Sequence, residues 1–248
     1  MCRRTVVTSS ALITLLSLAG CPDKPTGGQN TVAGSATASA SASAAAGPMI
    51  PAPTKVDEPN LTGMRYYTWD PPVAVPGATV EKRAEQVLAS ATLHKLLGMD
   101  PAKDGFRHLA TAKDGKVTYI QTLAWQGQTI PVHRAMATVA IVDGAKLAYV
   151  GTGFRKGIAL DAAKLTVDQQ QAGVIAAAEY ERIEKAPGKV TPHRHPGLYV
   201  YRAAGGVHLP GYDIHVERKD GEGHGRPYLI LVNAQTGKVV RSKKSWVE

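Results

Sequence analysis

The sequence predicts an α+β protein of two tandem modules, each a helix packed on an antiparallel sheet, after a disordered tether. Three observations carry that expectation. Helix-patterned segments at 79–98 and 165–183 are each followed by strand-patterned segments. Turn-forming pairs punctuate those strands at Gln126-Gly127, Asp143-Gly144, Asp220-Gly221 and Thr236-Gly237. Residues 22–60, by contrast, are dominated by Ala, Ser, Thr, Gly and Pro, and cannot bury enough apolar area to offset the entropy of ordering.

Composition bounds the rest. The chain has 248 residues, and 44% of them are hydrophobic, which is too apolar for full disorder. Aromatic residues are only 6%, so Val, Leu, Ile and Ala must fill the core. Both cysteines, Cys2 and Cys21, lie at the N-terminus. That excludes a disulfide-stapled fold and a cysteine-based zinc site in the body of the protein.

The first residues read as an address. Arg3 and Arg4 precede an apolar stretch from Val6 to Ala19, the layout of a secretory signal peptide. The stretch ends in Leu18-Ala19-Gly20-Cys21, which resembles a bacterial lipobox. That resemblance implies cleavage after Gly20 and a diacylglycerol on Cys21. Cleavage would remove Cys2, Arg3 and Arg4 and take the net charge from +9 to +7, with no free thiol left. Such a chain suits an oxidising envelope compartment. The organisation expected is therefore a signal peptide at 1–20, a lipidated Cys21 with a tether at 21–60, and modules at 61–157 and 158–248. A flexible linker of about 40 residues reaches roughly 35 Å. Pro22-Asp23 gives a mixed sorting signal, read here as favouring the outer membrane over the inner.

The elements follow in order. Tyr66, Tyr67 and Trp69 precede a Pro-rich turn at Pro71, Pro72 and Pro76. Val80, Ala84, Val87, Leu88, Ala91 and Leu96 then recur at helical spacing, with Thr79 as N-cap and Gly98 as stop, giving one helix of about five turns. Strands are expected at Lys116–Ala124, Pro131–Val142 and Lys146–Phe154. The second helix spans Leu165–Ile183, with a capping box opened by Thr166 and a face shared by Val167, Val174 and Ala178. Gly173 weakens that helix, and Pro187-Gly188 ends it. Leu198–Ala203, Val207–Arg218, Pro227–Val232 and Lys238–Ser242 read as strands. A sheet covered by a helix on one side can keep its other face wet.

Two stretches carry a family resemblance. Tyr119-Ile120-Gln121, Gly127, Ile130-Pro131-Val132 and Val139–Gly144 resemble the fungalysin/thermolysin propeptide motif, with Gln128 and Thr129 inserted after Gly127. Leu198–Tyr201, His208–Val216 and Leu231–Val240 resemble a PepSY-type module, most closely in Asn233-Ala234-Gln235-Thr236-Gly237-Lys238-Val239. In that family such modules precede a secreted zinc peptidase and are similar to intramolecular chaperones and inhibitors. No His-Glu-x-x-His occurs in this sequence. The resemblance therefore implies a free-standing, pro-domain-like protein.

Other chemistry is weakly signalled. His193-Arg194-His195 is a tight pair that His208 or His215 could join around a metal, but a polar loop between Pro192 and Pro196 explains it as well. No metal, cofactor or catalytic residue is assigned. Gly221–Gly225 lacks the strand–loop–helix setting of a phosphate cradle and reads as a hairpin loop. No Gly-x-Ser-x-Gly elbow occurs. Lys238, Arg241, Lys243 and Lys244 suit a solvated edge strand, where Lys discourages aggregation. Nucleic acid is not an expected partner.

The expected function is that of a non-catalytic, membrane-anchored envelope lipoprotein. It would bind a protein partner, a metallopeptidase in particular, as inhibitor or folding aid. Docking would use an exposed sheet face or edge, with 242–248 in an active-site cleft and Trp246 in an apolar pocket. The alternative is a structural or scaffold lipoprotein with no peptidase partner.

Overall fold

A computed structural model describes residues 49–59, 63–193, 196–219 and 226–245. The signal peptide, Cys21, most of the tether, His195, the Asp220-Gly221 turn, the 221–225 loop and Trp246 lie outside the described residues. The fold is α+β: three helices against a large sheet.

In the first half, β1 (Lys55–Val56) and β2 (Arg65–Ala74) precede α1 (Val80–Leu88) and α2 (Ala91–Leu97). Then come β3 (Asp104–Thr111), β4 (Lys116–Trp125), β5 (Gln128–Val142) and β6 (Lys146–Thr152). The Pro-rich turn expected at Pro71 and Pro72 is thus part of a strand, and Pro76 lies beyond its end. The strand crosses Pro71 and Pro72 inside a register shift between Thr68 and Val73, where neither proline has to donate to the ladder. β1 lies within the stretch expected to be a disordered tether and pairs antiparallel with Tyr67 and Thr68 of β2. β3 was not signalled, because its second half is exposed throughout, without an alternating buried face, and depends on β4 for pairing.

The single five-turn helix is two helices. Thr79 caps α1 by accepting from the Lys82 N–H, and Gly98 ends α2 in the left-handed region. Between them Ala89-Ser90 breaks the run. Ser90 is fully buried; its hydroxyl donates to Val87 O at 2.7 Å and accepts from Leu93 N–H. A buried serine that can restart a helix outweighs continuous apolar spacing. The two helices pack Ala84, Val87, Leu88, Leu93 and Leu97 on a sheet face built by Tyr67, Trp69, Val117, Val139, Ile141, Leu147 and Val150.

The hairpin turns fall at the expected pairs. Gln126 and Gly127 have φ 48° and 73°, and Asp143 and Gly144 have 51° and 66°, matching the right-handed twist of the flanking strands. β5 outruns its last pairing with β6, Ala137 with Thr152. Its ladder to β4 jumps from Met136 opposite Ile120 to Pro131 opposite Thr122. Within that bulge Val132 pairs in parallel with Val200 of β8 (Tyr199–Arg202), which continues the sheet into the second half.

The second half comprises α3 (Gln169–Glu184), β7 (Gly188–Thr191), β8, β9 (His208–Arg218), β10 (Tyr228–Asn233) and β11 (Val239–Lys244). α3 starts later than expected. Its capping box is Asp168 with Gln171, while Thr166 bonds its hydroxyl to Gln235 O at 2.7 Å. Its buried face is Ala172, Gly173, Ala176 and Tyr180, whereas Val174 and Ala178 are exposed. Gly173 lies on that face, where a Cβ would stand 3.6 Å from Val190, an ordinary contact. The face packs on Tyr212, Ile214, Val216, Tyr228, Ile230 and Val232.

The sheet's other side is not simply wet: Ile120, Tyr199, Tyr201, Leu209 and Leu231 form a core there. Leu123, Ile130, Val132, Ala135 and Val200 form a further core, roofed by Ile158, Leu160 and Leu198. The connecting segment over it is pinned from both halves. Gln126 Nε2 donates to Ala162 O at 2.7 Å, and Gln235 Nε2 donates to Asp161 O and Ala163 O at 3.0 and 2.6 Å.

Candidate functional site

β7 and β8 occupy the same flank of β9 in tandem. β7 pairs with 215–218 and β8 with 208–211, leaving Tyr212, Asp213 and Ile214 unpaired on that side. A notch of about 330 Å³ opens there, lined among others by Thr191, His193, Tyr212, Asp213 and His215. Thr191 and His215 are register partners, and their side chains lie 2.6 Å apart, Oγ1 to Nδ1. His208 sits seven residues from His215, roughly 23 Å along an extended strand and on the opposite face. The two cannot share one ion with His193. Among the described residues no three His, Cys, Asp or Glu side chains gather as metal ligands.

Strand alternation places Asp213 on the face away from α3. Its side chain is 1% exposed and lies 3.5 Å from the Arg241 guanidinium of β11. Among the described residues neither carboxylate oxygen accepts a hydrogen bond. Burial raises the Asp213 carboxyl above its ordinary range, and Arg241, His193 and Arg134 pull it partly back. Tyr201, buried on the same face, is pushed up by burial and then by the Asp213 charge; its ring lies 4.7 Å from His133.

The other partner-sized feature flanks β7. Between α3 and β7 runs an open groove of about 610 Å³, lined by Gln169, Gln170, Gly173, Val174, Ala177 and Val190, with Gly188 at its floor. Val174 is 68% and Val190 44% exposed. A Cβ at Gly188 would stand 2.9 Å from Val216 and 3.0 Å from Tyr180, so only glycine lets β7 lie this close to the core. Among the described residues β7 pairs with β9 alone, and its outer edge runs beside the apolar groove.

The basic C-terminal segment is strand β11, at the end of the sheet. Lys238 precedes it and Lys243 is exposed along it. Lys244 lies 3.8 Å from Glu184 and over the Tyr228 ring, and the Ser242 hydroxyl donates to Glu179 at 3.3 Å. Residues 242–244 are therefore built into the sheet and are not a free tail for a cleft.

The motif residues have structural uses. Gln121 is fully buried; its amide donates to Arg155 O and accepts from Arg155 N–H, both at 2.9 Å. Asn233 Oδ1 accepts from the N–H groups of Gln235 and Thr236 at 2.7 and 3.2 Å, and Gly237 takes φ 67°. The sequence reading missed Asp213, the notch and the groove. An aspartate between Tyr212 and Ile214 in a strand was the available signal, but alternation alone makes such a residue solvent-facing.

No family model matches the chain, and no curated protein matches it. Among solved structures it is similar to the Bacillus megaterium YpeB C-terminal domain, at 12% identity over 73% of this chain and 72% of that one, with a TM-score of 0.34. A likeness this distant carries no functional argument. The class defined by fold and site is an α+β domain with an exposed strand edge beside an apolar groove.

Proposed function

We propose that the protein is a non-catalytic lipoprotein of the bacterial cell envelope, anchored through Cys21, whose α+β domain binds an extended segment of a protein partner. The partner proposed is a secreted metallopeptidase, and the outcome of binding is inhibition or assisted folding. One observation carries the reading: the outer edge of β7 lies beside the groove between Val174 and Val190. An edge supplies main-chain hydrogen bonds and a groove accepts alternate side chains, the two parts of strand addition. β7 carries an exposed Lys189, but Val190 beside it turns an exposed apolar side chain to the groove. The propeptide-like motifs supply the kind of partner.

The buried polar groups support a binding role. Ser90, Gln121 and Thr152 hydrogen-bond to backbone, which is work for a scaffold. The test mixes the full purified chain with a co-encoded thermolysin-type enzyme and follows complex formation, proteolysis and refolding yield. The expected result is a complex that slows proteolysis or raises the refolding yield. No complex and no effect on either measurement would overturn the proposal. Recovery from membranes of envelope proteins without a zinc enzyme would establish the scaffold reading in its place.

A further inference from the structure

Three arginines from separate segments meet where β5, β8 and the chain after β6 come together. Val132 of β5 and Val200 of β8 are parallel partners, and the His133 and Tyr201 rings, one residue further on, lie 4.7 Å apart, which brings the chain at Arg134 and at Arg202 to one junction. Arg202 is also the register partner of His208 in β9. Its guanidinium lies against the 204–206 turn, where a Cβ on Gly206 would stand 3.5 Å from Nη2. Arg155 arrives after β6, its backbone held on both sides by the buried Gln121 amide. A Cβ on the nearby Gly153 would stand 3.6 Å from Arg134 O.

The cluster is short of negative charge. Among the described residues neither Arg134, Arg155 nor Arg202 makes a salt bridge, although exposed cations elsewhere, such as Lys82 and Arg182, find carboxylates. Asp213, whose carboxyl feels the Arg134 charge, already faces Arg241. The groups instead oppose one another. Arg155 is held below its usual value by burial and then by Arg202 and Arg134, and His208 by burial and then by Arg155 and Arg202. Arg134 moreover holds φ 59°, a conformation that disfavours a side-chain-bearing residue. Strain of this kind persists where the surroundings over-determine it and collects at ligand sites.

We infer that Arg134, Arg155 and Arg202, with His208 beside them, form a binding site for a phosphate-type oxyanion. Planar guanidinium forks from three directions suit a tetrahedral group with several acceptor oxygens. The Gln121 clamp fixes Arg155 before the ligand arrives, which lowers the ordering cost. The ligand is either free phosphate or the phosphate of an anionic lipid headgroup. This site is independent of the β7 groove.

The test uses the full chain in a non-ionic detergent, titrated with inorganic phosphate against chloride at matched ionic strength. A second arm compares nanodiscs of phosphatidylcholine alone with nanodiscs containing phosphatidylglycerol. The readouts are the thermal midpoint and the His208 imidazole titration by NMR. Phosphate is expected to raise both the midpoint and the His208 pKa. Arg134→Gly suits the left-handed backbone and keeps the fold while removing the charge; Arg202→Gln removes an exposed guanidinium. Each is expected to weaken half-saturation about tenfold. A response to phosphatidylglycerol without one to free phosphate identifies the lipid as the source, and the reverse identifies the free anion. Equal behaviour in phosphate and chloride together with equal behaviour in the two nanodiscs would overturn the site. So would a response that both variants retain, or one obtained only with an acidic peptide.

Discussion

The two halves of the domain treat buried polarity differently. Around α1 and α2 the buried polar side chains serve the backbone: Ser90 restarts a helix, Gln121 holds Arg155, and Thr152 donates to Met136 O. Around α3 the buried polar group is Asp213, a carboxylate with a distant arginine and no accepted hydrogen bond among the described residues. The first half also seals its core with large aliphatic residues from two helices. The second covers its sheet with one helix whose buried face is mostly small, and leaves Val174 and Val190 uncovered beside it. A half whose polar groups are satisfied resists change; a half with a buried carboxylate that accepts no hydrogen bond among the described residues, and with an open edge, is suited to meeting something else.

The largest expected effect tests whether the halves are separate at all. Leu147 and Ile230 are fully buried, one in each core. Leu147→Ala and Ile230→Ala should each cost about 2–5 kcal/mol. Val132 with Val200, and the pinned 161–163 segment, tie the cores together. Both variants should therefore lower one shared unfolding transition in calorimetry. Two transitions, each moved by only one variant, would break the domain into independent units.

Gln121→Ala comes next. It leaves the N–H and C=O of Arg155 without their partners, at roughly 2–3 kcal/mol in urea denaturation. The same variant should expose residues after β6 to faster amide exchange, while exchange in α3 is unchanged.

How far this organisation can be read from sequence depends on where its causes lie. The turns at 126–127, 143–144 and 236–237 were legible, because a positive φ restricts residue choice locally. Gly98 was legible for the same reason, and Thr79 because a short hydroxyl side chain is what accepts from the first free N–H groups of a helix. β1, β3 and β7 were not, because short or polar edge strands owe their existence to partners distant in sequence. α3 was misphased: an Ala/Gly face hides its packing side, and Val174 looks like core. The candidate site was less legible still. Asp213 is buried by Arg241 and the strands around it, and the arginine cluster draws on segments near 134, 155 and 202 that no local pattern connects.

The Asp213 pair separates the halves by pH. Burial raises the Asp213 pKa in the folded molecule above its ordinary 3.8. The folded state thus binds this proton more tightly than the unfolded chain. The stability it contributes is complete below about 3.8 and declines as pH rises through the folded value. Asp213→Asn should remove that decline. Arg241→Ala should lower stability at pH 7 by about 1–2 kcal/mol, because the buried carboxylate then lacks its counter-charge. The loss should shrink at pH 4. A loss as large at pH 4 as at pH 7 would mean that Arg241 matters for packing rather than charge.

The smallest effect on stability is expected from the groove, and there the comparison is sharpest. Val174 is exposed near the start of α3, with uncharged residues at the positions three and four away on either side. Val174→Glu replaces a β-branched residue with a better helix former at an exposed position. Folding stability should therefore stay within about 0.5 kcal/mol of the parent. A carboxylate projecting beside the β7 edge would nevertheless have to be desolvated by an apolar side chain docking there. If the proposed peptidase docks there, its capture should fall at least tenfold while the unfolding midpoint holds. A parallel substitution on the first half, Leu109→Glu on the exposed run of β3, should leave both quantities unchanged. If the two variants reduced capture equally, the partner would not be choosing between the halves, and the β7 groove would lose its role.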